Sequence, residues 1–158
     1  MLVKKALLGL SLCAFASLAA AQMPTYGPSD VTLEQAKKIA AAAAAHAEKN
    51  KWPMAIAIVD RHGVLVYFER MTDTQIGSVD VALDKAKSAG MFRRPTRVFE
   101  EGIAKGRNAL LGLKGAATVT GGVPIMAGGK VIGGIGVSGA TGDQDEETAI
   151  AGTKAVQM

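Results

Sequence analysis

The sequence predicts an α/β (α+β) domain in which two β-hairpins are set among four helices. Three observations carry that expectation. The stretch Gly121–Gly142, GGVPIMAGGKVIGGIGVSGATG, reads as strands Gly122–Ala127 and Lys130–Ser138 joined by Gly128-Gly129. A two-residue Gly-Gly connection suits a primed hairpin turn, because its central residues need positive φ. Met54–Asp60 and Val64–Arg70, both rich in β-branched residues, form a second hairpin about Arg61-His62-Gly63. Ala36, Ala40, Ala43 and Ala47 recur at helical spacing within Thr32–Asn50.

Met1–Ala21 has the pattern of a removable secretory signal. Lys4 and Lys5 form its positive start, Ala6–Leu18 is apolar but short for a bilayer span, and Ala19-Ala20-Ala21 precedes the expected cut at Gln22. The expectation is a periplasmic or secreted protein. The sole cysteine, Cys13, lies inside this segment behind Leu12, where a lipid-attachment site wants a small residue, so no stable membrane anchor is expected. Residues 22–31 read as an extended lead-in containing Pro24, Gly27 and Pro28. Residues 32–158 then form one domain; about 137 residues follow the signal, an ordinary domain length. Without Lys4 and Lys5 the excess of basic over acidic residues falls from four to two. No clustered basic face supports nucleic-acid binding. With no cysteine after the signal, disulfides and thiolate metal sites are excluded.

Thr32 is placed to cap the first helix, with Gln35 at the capping-box position. Ile39 lies at the edge of the alanine stripe, and His46, seven residues on, falls on the same boundary. Met54–Val59 lacks alternation, which implies a strand buried on both faces. His62 reads as a solvated turn residue. Ser78–Phe92 is the second helix, with Ser78 as its cap. Val79, Ala82, Leu83, Ala86, Ala89 and Gly90 lie inward, while Asp80, Asp84, Lys85 and Lys87 lie around the outside. Arg93-Arg94-Pro95 ends this helix. The two arginines either hold a carboxylate bidentately or complement the helix dipole. Thr96–Gly106 is a short third helix with Val98, Phe99 and Ile103 inward. Asp143–Val156 is the last, its acids Asp143, Asp145, Glu146 and Glu147 either favouring the positive helix end or holding a surface cation.

Gly134-Ile-Gly136-Val-Ser-Gly139 matches the dinucleotide fingerprint G-x-G-x-x-G, but neither a further βαβ unit nor the acidic residue about 20 positions on follows it. Close packing is the better reading of those glycines. There is no H-E-x-x-H, no P-loop and no G-x-S-x-G. Two histidines exclude a three-histidine metal site within one chain, and no catalytic residue is assigned, because no base has an evident partner.

Four stretches together are similar to the GlcG/HbpS-like haem-binding (haem-degrading domain) family: MAIAIVDRHGVLVYFERMTDT (54–74), LDKAKSAGMFRRPT (83–96), GGVPIMAGGKVIGGIGVSGATGDQDEE (121–147) and the AIAG that follows. The resemblance runs from about Thr32 to the end. It implies a central antiparallel sheet flanked by helices in a profilin-like three-layer arrangement, assembled as a homo-oligomer. It implies haem as cofactor and a haem-sequestering, haem-sensing or accessory role. The alternatives are an enzyme acting on haem or a small organic acid, and a cofactor-free oligomeric accessory protein. An acidic surface site for iron occurs in one branch, and residues 143–147 are the acidic cluster here. Haem iron needs a nitrogen, sulfur or oxygen donor. Of the two imidazoles, His46 is the expected iron ligand, since the alanine stripe gives it an apolar floor, whereas His62 has little apolar cover in its turn. Tyr67 and the methionines are the other donors. Arg93 and Arg94 are the expected partners of the haem propionates.

Overall fold

A computed structural model describes residues 30–156. The signal segment and most of the lead-in lie outside the described residues. The elements are α1 (Leu33–Asn50), β1 (Ala55–Asp60), β2 (Leu65–Arg70), α2 (Ser78–Phe92), α3 (Arg97–Ala104), a 3-10 turn (Asn108–Gly112), β3 (Gly122–Ala127), β4 (Lys130–Ser138) and α4 (Gly142–Thr153).

The four strands form one antiparallel sheet in the order β2-β1-β4-β3. Helices α1 and α4 cover one face and α2 the other, so the fold has three layers. Both hairpins stand where the sequence puts them. Gly128 and Gly129 have φ of 53° and 74°, the pair of positive values that a primed turn requires. The central pairing, β1 with β4, joins two strands far apart in sequence.

Strand β1 is buried on both faces, as its lack of alternation implies. Ile56 and Ile58 pack with Ile135 and Val137 of β4 against the alanines of α1 and Ala149 of α4. Ala55, Ala57 and Val59 point the other way, against Ala82 and Ala86 of α2. Each of Ile56, Ile58, Ile135 and Val137, all fully buried, contributes about 1.5–3 kcal/mol by leaving water.

Helix α1 opens with the expected capping box. Thr32 Oγ1 accepts from the Gln35 backbone at 3.2 Å and Gln35 Oε1 accepts from the Thr32 backbone at 2.9 Å. Helix α4 uses the same device, Thr141 with Gln144, and starts at Gly142 rather than Asp143. Ser78 is not the cap of α2: Gly77 occupies that position, and Ser78 is buried, its hydroxyl 3.2 Å from that of Ser138. In α3, Phe99 is buried as expected, but Val98 faces solvent.

The glycines of β4 receive α2. A Cβ on Gly134 would strike the Ala86 carbonyl oxygen, and one on Gly136 the Ala82 carbonyl oxygen and the Ala86 nitrogen. From the helix side, a Cβ on Gly90 would lie 3.2 Å from the Gly134 nitrogen. Helix backbone therefore rests on strand backbone, and the apparent dinucleotide fingerprint is a packing seat.

A buried charge pair also crosses the same layer. Lys85, assigned by its neighbours in sequence to the outside of α2, is buried with side-chain exposure of 3%. Its Nζ donates to Asp145 Oδ2 at 2.7 Å and to the Val137 carbonyl at 3.0 Å, tying α2 to β4 and α4. Asp145 Oδ1 accepts from the Ala140 backbone at 3.0 Å. Burial raises the Asp145 carboxyl above its ordinary value, while the Lys85 ammonium and the backbone N–H groups of Ala140 and Gly139 pull it back.

Candidate functional site

The end of α2, the β1–β2 turn and the β3–β4 turn meet around an open groove of about 670 Å³. Each wall has a local cause. Asp60 Oδ1 accepts from the backbones of His62 (2.8 Å) and Val64 (2.9 Å), an Asx-type turn that holds Arg61-His62 outward. Helix α2 ends with Arg93 in the left-handed conformation at φ 55°, which turns the chain and presents Arg93 and Arg94 side by side. Lys130 leaves the Gly128-Gly129 turn at the start of β4.

The groove therefore gathers four cationic side chains, Arg61, Arg93, Arg94 and Lys130, together with His62. Met91, Phe92, Met126 and Val131 supply its apolar lining. No carboxylate lines it among the described residues. Arg61 is neutralised from outside, by Asp30 at 2.9 Å, and its Nε also donates to His62 Nε2 at 3.2 Å. Arg94 donates to the Phe92 carbonyl at 3.1 Å. Arg93 and Lys130 have no ion-pair partner among the described residues. Such a groove can hold an amphipathic anion: an apolar body against the thioethers and the phenyl ring, and its charge against the guanidinium groups.

The structure does not bring His46 together with Arg93 and Arg94. His46 sits on α1, on the opposite side of the sheet from α2. Its Nε2 lies 3.1 Å from Glu147 Oε1 and 3.3 Å from Asn50 Nδ2, and its ring is tilted against Trp52 at a centroid distance of 6.0 Å. The histidine that shares a cavity with the two arginines is His62. His62 is exposed in its turn, as expected, and the apolar side chains that line the same groove come from α2 and the β3–β4 hairpin. Tyr67 bonds Glu69 at 3.3 Å, and burial, followed by the Glu69 charge, raises its phenol above the ordinary value.

The acidic cluster of α4 is partnered residue by residue. Asp145 goes to Lys85, Asp143 and Glu146 each lie 2.6 Å from Arg97, and Glu147 meets His46. The Asp143 and Glu146 hydrogen bonds hold the Arg97 guanidinium above its ordinary pKa. No group of three or more His, Cys, Asp or Glu side chains suited to a metal ion occurs among the described residues. No described helix is long and apolar enough to cross a membrane.

Comparison with known proteins adds the following. The family model described as "Haem degrading protein HbpS-like" matches residues 31–154. Protein GlcG of Escherichia coli (strain K12) is 37% identical over 105 residues, which cover 66% of this chain and 78% of GlcG. The crystal structure of a double mutant of Streptomyces reticuli HbpS superposes with a TM-score of 0.76 at 34% identity, covering 89% of this chain and 99% of that one. A crystal structure of a PduOC–haem complex superposes with a TM-score of 0.72 at 25% identity, covering 82% of this chain and 99% of that one.

Proposed function

The chain belongs to the HbpS-like family of haem-degrading proteins, and from that premise we propose that it is an exported haem-binding protein that sequesters, senses or hands on haem. The observation that carries the reading is the groove at the end of α2. It offers what haem requires in one place: an imidazole donor in His62, cations for the propionates in Arg93 and Arg94, and apolar cover from Met91, Phe92, Met126 and Val131. Its volume of about 670 Å³ falls within the usual range for small-molecule sites. Haem, when bound, would supply a redox-active iron. The chain's own residues would ligate, orient and partly shield it.

A second reading keeps His46 as the iron ligand, the assignment favoured by sequence. Its support is the Trp52 ring, which gives His46 an aromatic neighbour, and its half-buried position on α1. That site needs Glu147 to release the imidazole Nε2, as the groove needs Arg61 to release that of His62, and it leaves the propionates without Arg93 or Arg94.

Hemin titration followed in the Soret band decides between the two. With the groove as the site, His62→Ala and Arg93→Gln each weaken binding at least tenfold, and His46→Ala changes little. The reverse pattern moves the site to α1. Identical spectra for protein with hemin and for hemin alone sink the haem-binding reading itself. Export rests on the Lys4-Lys5, Ala6–Leu18 and Ala19–Ala21 pattern. A homo-oligomer is part of the proposal, supported by membership of the HbpS-like family.

A further inference from the structure

We infer that the groove is also a binding site for compact dianions free of any iron, the chemistry shared by small dicarboxylates and inorganic phosphate. The inference deepens the proposed function and rests on its choice of the groove as the ligand site. Its own ground is charge. Arg93 and Lys130 reach the groove from two elements, the end of α2 and the start of β4, and neither has an ion-pair partner among the described residues. Arg93, the C-cap residue of α2, and Arg94, which bonds the Phe92 carbonyl at 3.1 Å, both stand at the negative end of the helix dipole. That end carries only about half an elementary charge, too little to offset both guanidinium groups, and Lys130 belongs to another element. Cations held in one cavity without counter-charge repel one another, and an anion between them relieves that repulsion.

Two free cations on separate elements match a ligand carrying two negative charges better than one carrying a single charge. Arg93 offers a planar fork suited to a carboxylate or phosphate, and Lys130 a compact point charge. The groove's size fits a small molecule rather than a polymer. In this picture the haem propionates are one instance of a dicarboxylate. Recognition lies in the acids, and the iron is secondary.

The test is isothermal titration calorimetry of the purified protein with sodium succinate and, separately, with inorganic phosphate at low ionic strength. Wild type, Arg93→Gln and Lys130→Gln are compared, with far-UV circular dichroism to show that each variant is folded. The inference expects heat from at least one anion, an affinity at least tenfold weaker in each variant, and loss of binding as salt rises. Succinate alone would point to dicarboxylates and phosphate alone to phosphoryl compounds; either supports the inference. No heat from either anion at millimolar concentration overturns it, as does equal affinity in wild type and both variants. Hemin binding without anion binding overturns it while leaving the haem reading intact. Anion binding without hemin binding supports it and removes the haem reading.

Discussion

Replacing Lys85 by Met tests the buried link between α2 and α4. Lys85 and Asp145 are each 3% exposed at the side chain and lie 2.7 Å apart. The substitution keeps the apolar stem and removes the ammonium. Asp145 is left with the Ala140 and Gly139 backbone N–H groups, and the Val137 carbonyl loses its side-chain donor. Breaking a buried pair from one side costs about 3–5 kcal/mol, since an uncompensated charge stays behind. Against a total stability of about 5–15 kcal/mol, that is a large share. Urea unfolding at pH 7, followed by circular dichroism, measures it. Acidification supplies a second reading. The Asp145 carboxyl is already raised by burial, and without the ammonium it rises further. Between its unfolded and folded values the native state then holds the extra proton, so stability grows as pH falls through that window. The deficit of Lys85→Met should therefore narrow on going from pH 7 towards pH 5. The double variant Lys85→Met with Asp145→Leu should lose less than the sum of the two single variants. A loss below about 1 kcal/mol at pH 7, or a deficit that widens on acidification, would refute the reasoning.

Gly136→Val should abolish folding or leave a protein unfolded at low urea, because its branched side chain meets helix backbone that cannot move aside; a cooperative transition within 1 kcal/mol of wild type would contradict the packing. Arg97→Ala removes a half-exposed pair of ion contacts and should cost only about 1 kcal/mol, checked by the same unfolding curve. Mass analysis of secreted or periplasmic material should find Gln22 as the first residue and no lipid; an intact Met1 would end the export proposal. Light scattering at micromolar concentration should give a multiple of the monomer mass, and the monomer mass alone would count against assembly.

Much of the fold is legible in local pattern. The alanine stripe of α1, the Gly128-Gly129 turn and the unbroken apolar run of β1 each carry their structure in a few residues. What is hidden depends on contacts distant in sequence. Lys85 stands three residues after Ala82 and four before Ala89, within the apolar stripe of α2, but its charge read as part of a solvated face. Its partner, Asp145, lies 60 residues away behind an acidic run that reads equally well as helix-end charge. The groove is hidden for the same reason. His62 belongs to one hairpin, Lys130 to the other and Arg93 to a helix, and only the antiparallel pairing of β1 with β4 collects them. The α4 capping box, Thr141 with Gln144, was visible in the residues and shows that the helix begins one position earlier than its acids suggest.

The seat of α2 on Gly134 and Gly136 limits how this protein can change. Where side chains separate two elements, a neighbour can enlarge or shrink and the elements shift to suit. Here peptide groups set the separation, and no side-chain volume is left to trade. The wall of the groove formed by Gly90–Arg94 is thus carried on a support that substitutions beneath it cannot retune. Mutations that alter ligand preference are confined to the rim, at residues such as Arg93, Lys130 and His62. The ordering cost on binding is correspondingly confined to a few long side chains, about 0.5–1.5 kcal/mol for each one immobilised. Divergence within this scaffold is expected to read as changes of rim chemistry over an unchanging floor.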